Sequence, residues 1–320
     1  MNWPFSRFFS PEITHFTVPF STIPTSLRCS LSGNFIRIEP VVASAKQTSF
    51  HYLYFCSNNN LAMALKMDDL KDFLEEKVKQ YNHPDFIAMD PVQIPHRYSR
   101  KEDIEIAGFL TATISWGNRV SILKNAQKMM EIMGNSPYDF ILHHREVHLE
   151  KAAGFVHRTF NETDLAFFIS ALKILYREGN GLEGMFNRYR EPSSLQPAIH
   201  QLKKAFLTLP HMPRSRKHLP DPLQGSAAKR INMFLRWMVR RDSGGVDFGI
   251  WKTIPPSILS CPLDVHTGNV ARKLGLLKRT YNDAKAVQEL DRVLRSMDRD
   301  DPVKYDFALF GLGMYEIGNR

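Results

Sequence analysis

The stretch from residue 101 to residue 134 reads KEDIEIAGFLTATISWGNRVSILKNAQKMMEIMG. Charged Lys101 to Asp103 open it, an apolar run follows, and Gly134 closes it as a good helix stop. The spacing predicts two helices, or one interrupted at Trp116-Gly117. On the N-terminal side, MDDLKDFLEEKVKQYN from Met67 repeats Leu70, Phe73, Leu74 and Val78 at helical spacing. On the C-terminal side, helices are predicted over 163–177, 181–189, 196–208, 226–241, 265–277, 284–297 and 302–314. Strand-like alternation is scarce from residue 67 onward, so the expected fold class is all-α. The proline-rich PHMPRSRKHLPDP, residues 210–222, separates two helices and need not mark a domain boundary.

Residues 1–62 look different. They carry Arg7, Arg28, Arg37 and Lys46 against Glu12 and Glu39, with many Ser, Thr and Phe and no sustained periodicity. Two readings stand: translated upstream sequence ahead of an initiator at Met63 or Met67, or a disordered extension. The helical region is expected to span 63–320.

The 320 residues are 43% hydrophobic and 23% charged, the mix of an ordinary soluble globule. A formal net charge of +9 favours an acidic partner such as nucleic acid. Cys29, Cys56 and Cys261 are few, scattered and odd in number. They suggest neither a disulfide framework nor a thiolate metal site, and they are too few for an iron–sulfur cluster. No apolar run is long enough for a membrane span, and no signal-peptide pattern opens the chain, so a cytoplasmic protein is expected. His143, His144, His148 and His157 repeat no metal-ligand spacing. Neither a phosphate-binding glycine loop nor a nucleophile elbow is present, and no metal, nucleotide or other cofactor is expected.

Charge concentrates between His211 and Arg241, where Arg214, Arg216, Lys217, Lys229, Arg230, Arg236, Arg240 and Arg241 face one acid, Asp221. A helix begun at Gly225-Ser226, with Ser226 as N-cap, would put Ala227, Ile231, Phe234 and Met238 on a packing face and Lys229, Arg236 and Arg240 on another. Such a stripe is either a solvated helix face or a phosphate-binding one. Lys229, near a helix start and beside Arg230, has the setting of an amine nucleophile. Taken alone it reads as an ordinary surface lysine, since such lysines are abundant.

CPLDVHTGNVARKLGLL, residues 261–277, is the most specific text in the chain. Proline, an acid and then an apolar helical run place Asp264 at a helix N-terminus as its N-cap. A helix N-terminus also suits an anion, which an oxocarbenium-like sugar transition state needs. The segment resembles the aspartate motif of the helix-hairpin-helix DNA glycosylases. That resemblance implies a catalytic carboxylate at Asp264, the motif histidine at His266, a basic residue near DNA at Arg272, and a Schiff-base lysine at Lys229. The 35-residue spacing from Lys229 to Asp264 is more like the archaeal 8-oxoguanine glycosylases than the endonuclease III branch. The hairpin text LPDPLQGSAAK keeps Gly225 but lacks the compact Gly-x-Gly turn.

IPHRY (94–98), EIAGFLTATISWGNR (105–119), MGNSPYDF (133–140), KRINMFLRWMVRRDSGGVDFGIW (229–251) and DPVKYDFALFGLG (301–313) resemble a bacterial family, domain of unknown function 2400, over about residues 67–320. The glycosylase resemblance implies a helical architecture in which DNA lies against the 225–241 and 264–277 helices while a flipped base enters between them. Trp116, Asn118 and Arg119 fall where glycosylases push a polar residue into the duplex, and Ser226, Arg230, Arg236 and Arg240 would join His266 and Arg272 in binding DNA. Phe248 and Trp251 are candidate walls of a base pocket or ordinary core aromatics. The rival expectation is a nucleic-acid-binding protein without catalysis, in which Asp264 only caps and Lys229 only touches phosphate.

Overall fold

A computed structural model of the chain describes residues 26–32, 35–41 and 67–316. The chain divides into two compact units, residues 1–61 and residues 62–320. In the first, β1 (Ser26–Ser32) pairs antiparallel with β2 (Phe35–Val41), Cys29 opposite Ile38. The sequence reading of residues 1–62, as upstream sequence or a disordered extension, named no such pairing. Leu27, Cys29 and Leu31, then Ile36 and Ile38, alternate with polar neighbours at the period of two that a strand requires. The remainder of the leader, with Met63, lies outside the described residues. Because the two units are separately compact, deleting residues 1–61 should leave the thermal midpoint of the remainder within a few degrees of the full chain. Calorimetry checks this, and a loss of about 10 °C would mean that the segment packs on the helical unit.

The second unit is helical. Its elements are α1 (Met67–Tyr81), α2 (Asp85–Met89), α3 (Lys101–Thr113), α4 (Arg119–Ile132), α5 (Pro137–His143), α6 (Glu146–Leu149), α7 (Glu162–Glu178), α8 (Gly181–Tyr189), α9 (Gln196–Phe206), α10 (Lys229–Val239), α11 (Val265–Lys273), α12 (Ala284–Met297) and α13 (Tyr305–Gly311). Between α6 and α7 runs a two-residue hairpin, β3 (Val156–His157) with β4 (Phe160–Asn161). Among the described residues no helix is long and apolar enough to cross a membrane.

The predicted break at Trp116-Gly117 is present. Gly117 takes φ +101°, open to glycine at little cost, and Asn118 restarts the helix by accepting the Ser121 N–H at 3.2 Å. Behind the break, α3 is buried on all sides, and Gly108 lets α10 approach, since a Cβ there would sit 3.2 Å from Met238 Cε. Its one buried acid, Glu105, accepts hydrogen bonds from Trp251 Nε1 and Tyr176 Oη, each at 2.6 Å. A buried carboxylate left without such donors would cost several kcal/mol, on the order of the penalty for an uncompensated buried charge.

Two hydrophobic cores form within this unit. The larger contains residues of α3, α4, α7, α8, α9 and α10, centred on Phe109, Phe168, Phe206, Phe234 and Trp251. The smaller joins α1, α11, α12 and α13 through Leu74, Val270, Leu290 and Leu309. The start of α10 belongs to the first core and the start of α11 borders the second, so the seam between them brings Lys229 towards Asp264.

Candidate active site between two helix starts

Lys229 is delivered by a tight turn. The Asp221 carboxylate accepts the Leu223 N–H at 3.2 Å, opening a 3-10 turn over Pro222–Gln224, and Gly225 follows at φ +91°. The Ser226 hydroxyl accepts the Ala228 N–H at 3.1 Å. Ala228 itself is left-handed at φ +49°, a conformation that costs a non-glycine residue on the order of 1–3 kcal/mol. The helix therefore begins at Lys229, later than expected from the sequence, and Ser226 braces the turn instead of capping the helix.

Asp264 is delivered by a cap. Its Oδ1 accepts the Thr267 N–H at 2.9 Å, while its Oδ2 lies 3.7 Å from Lys229 Nζ. One carboxylate oxygen caps the start of α11, and the other faces the lysine. The side chains are 27% and 21% exposed.

They open into a cavity of about 600 Å³, within the ~300–1,000 Å³ usual for ligand sites. Phe86, Trp116, Met233, Phe310 and Met314 supply apolar walls, and Asp90, Arg230 and Asp306 supply polar ones. Trp116 is held rigidly. The Arg230 guanidinium lies 4.6 Å above its ring, His218 stacks at 5.9 Å, and His157 meets it edge-on at 5.0 Å. Arg230 also donates to the Thr113 carbonyl, and burial pushes its pKa down to about 10. Burial likewise raises Asp306 to about 6 despite the neighbouring Arg236, and raises Asp90.

Of the residues singled out in the sequence, Trp116, Arg119, Lys229, Arg230, Arg236, Asp264 and His266 line this cavity. Arg119 donates to the Met89 carbonyl at 2.5 Å, and His266 is exposed. Asn118 is exposed but spends its side chain on the α4 cap. Arg272 is turned to a brace, donating to the Arg279 carbonyl at 2.8 Å and to Asn282 Oδ1 at 2.5 Å.

Arg236 and Arg240 correct the sequence reading. They are 3% and 2% exposed, not a solvated or phosphate-binding stripe. Arg236 pairs with Asp247 and Asp306, and Arg240 with Asp242, Asp247 and Asp301. Burial alone would lower the Arg236 pKa, but Asp247 and Asp306 together outweigh it and hold the guanidinium above its usual range. The partners lie 11 and 70 residues downstream of Arg236, so a local count of charge could not see them. For Trp251 and Phe248 the core alternative holds. Trp251 is a buried core ring against Phe186 and Phe234, Phe248 stacks on His96, and neither lines the cavity.

The sequence reading passed over Asp90, Asp306, Phe86 and Phe310. A signal for Asp306 existed: it is an acid inside the apolar run YDFALF, where a charge is rarely buried without a partner.

His218, packed under Trp116, is almost fully buried, and burial lowers its pKa to about 4. Asp164, 3.4 Å away, pulls the other way, and Arg214, Lys217 and Arg230 add to the lowering. With a folded-state pKa below the unfolded one, the unfolded chain binds the proton first, so stability is lost as pH falls from about 6.5 towards 4. Wild type should therefore lose roughly 1–3 kcal/mol relative to His218→Gln across that window. Urea titrations of both proteins at pH 7 and pH 4.5 measure the difference, and a pH-independent gap would contradict it.

Among the described residues no group of three or more His, Cys, Asp or Glu side chains could hold a metal ion. The site is thus an amine, a carboxylate and an aromatic-walled cavity at the seam of a two-core helical unit. A family model described as "Protein of unknown function (DUF2400)" matches residues 90–315. The chain belongs to that family. No curated protein and no solved structure matches the chain.

Proposed function

We propose that this protein is a DNA glycosylase with abasic-site lyase activity, acting on a nucleotide flipped into the Lys229–Asp264 cavity. The observation that carries the reading is the 3.7 Å approach of Lys229 Nζ to Asp264 Oδ2 inside a cavity between two cores. A surface lysine and a helix cap with no shared task need not converge in this way. The helix-hairpin-helix glycosylase architecture suggested by residues 262–277 belongs to the same reading.

The chemistry follows from the groups present. An ammonium must give up a proton before it can attack, and Asp264 Oδ2 is the base at hand. The Lys229 amine then forms a bond to C1′ as the C1′–N bond breaks, and the base leaves with the bonding pair and takes up the proton that Asp264 had accepted, which makes Asp264 a carboxylate again. During departure the sugar carries positive charge, which the Asp264 carboxylate stabilises. Ring opening gives the protonated imine, and loss of a C2′ proton expels the 3′ phosphate, cutting the strand. Flipping is required because C1′ and its base are inaccessible to such a pocket within the stack. Phe86, Trp116 and Phe310 offer faces for the extruded base.

The rival, a non-catalytic nucleic-acid-binding protein, draws on the capping bond from Thr267, which gives Asp264 a task independent of chemistry. A panel of duplexes carrying oxidised, deaminated, alkylated and abasic sites separates the two. The enzyme reading expects base release or strand cleavage on at least one of them. Binding to the panel without any product would favour the rival.

A further inference from the structure

The loop between α11 and α12 touches both halves of the site. On the Asp264 side, Asn282 Nδ2 donates to the Asp264 backbone carbonyl at 2.8 Å, and its Oδ1 accepts from Arg272 Nη2 at 2.5 Å. Arg272 Nε in turn donates to the Arg279 carbonyl at 2.8 Å, closing the loop onto α11. The amide is seated so closely that a Cβ on Gly268 would lie 2.6 Å from Asn282 Oδ1 and 3.0 Å from its Nδ2. This accounts for a glycine inside α11, where its intrinsic helix propensity is poor.

On the Lys229 side, the next two residues, the cap and first residue of α12, hold the turn before α10. Ala284 N–H donates to the Gly225 carbonyl at 3.0 Å, and Ser226 pairs with Asp283 as a β-bridge. Asp283 is fixed in its own right, accepting the Ala286 N–H and pairing with Arg279. Three consecutive residues, Asn282 to Ala284, therefore tie the peptide that carries Asp264 to the turn that carries Lys229. Both ties leave from the start of α12, Asn282 and Asp283 just before it and Ala284 as its first residue, and they add to the packing of Ala227 against the second core.

We propose that Asn282 is a positioning residue that sets the separation of Asp264 from Lys229, with Gly268 and Arg272 as its seat. It touches no substrate. It rests on the glycosylase reading only for its consequence in catalysis, since the geometric link exists whatever the reaction is. Misplacement of a reacting group by ~1 Å can cost about 10²-fold in rate, so a clip of this kind is expected to matter far beyond its effect on stability.

The test reads the lysine directly. Full-length protein is reductively methylated with formaldehyde and cyanoborohydride, and the rate at Lys229 is followed by peptide mass spectrometry. Asp264→Asn should change that rate by removing the neighbouring charge. Asn282→Ala should change it in the same direction by at least about threefold, and should add little in the Asp264→Asn background, as coupled residues do in a double-mutant cycle. Asn282→Asp, of the same shape but without the donor to the Asp264 carbonyl, should behave like Asn282→Ala even if the alanine protein folds poorly. A wild-type Lys229 rate in folded Asn282→Asp overturns the proposal, as does an Asn282→Ala effect that is fully retained beside Asp264→Asn. On an abasic duplex, the same variants should slow single-turnover cleavage by about tenfold or more with DNA affinity unchanged. Wild-type protein that shows the methylation coupling but cleaves no duplex would sink the glycosylase reading and leave the positioning role standing.

Discussion

Arg236→Ala is expected to lower the unfolding free energy by about 3–5 kcal/mol, the usual consequence of removing one partner from a buried ion pair. Asp247 and Asp306 would be left in the interior without their shared cation. Small domains are stable by only ~5–15 kcal/mol, so much of the variant should be lost to unfolding or aggregation at 37 °C. The shift in urea midpoint at constant slope measures it. Arg236→Lys should recover part of the loss, because a point charge can serve one carboxylate but not fork between two. A loss below about 1 kcal/mol for Arg236→Ala would return this arginine to the class of solvated surface charge.

The second large effect falls on chemistry. Asp264→Asn keeps a side-chain oxygen for the Thr267 N–H, and asparagine is as good an N-cap as aspartate, so the melting temperature should change little. Removing the charge that faces the sugar should slow base release by about 10²–10³-fold, the scale of losing one preorganised electrostatic stabiliser. Lys229→Gln should lose strand cleavage altogether while binding duplexes as before. Single-turnover rates under saturating protein separate binding from the chemical step. An Asp264→Asn protein as fast as wild type would reduce this carboxylate to a cap.

Much of the fold was legible because apolar periodicity is local. The break at Trp116-Gly117, the helix over 284–297 and the cap at Asp264 each depend on neighbours within a turn or two, and each is present. The all-helical class from residue 67 onward follows from the same local signal, save for the two-residue β3–β4 hairpin. The site was legible in part: seven of the residues singled out line one cavity, although they come from three separate stretches of chain.

What was not legible depended on distant partners. A helix with Arg236 and Arg240 looks amphipathic until Asp247, Asp301 and Asp306 are brought alongside it, after which its basic face is interior. Arg272 reads as a contact for DNA only through the glycosylase resemblance, whereas its partner Asn282 lies 10 residues on, across a loop. The start of α10 was placed three residues early because Ser226 is a favourable cap by type, whereas left-handed Ala228 delays the helix to Lys229. In the leader, a short two-strand alternation was masked by its Ser- and Phe-rich surroundings.

The most direct measurement is borohydride trapping of the full-length protein on an abasic duplex. A Schiff base between the Lys229 amine and C1′ is reducible, so wild type should give a stable protein–DNA adduct, with the modified peptide mapping to Lys229 and no adduct from Lys229→Gln. Absence of any wild-type adduct on abasic and lesion-bearing duplexes that the protein demonstrably binds, or an adduct that maps to another lysine, would contradict the assignment of Lys229 and Asp264 as the catalytic pair.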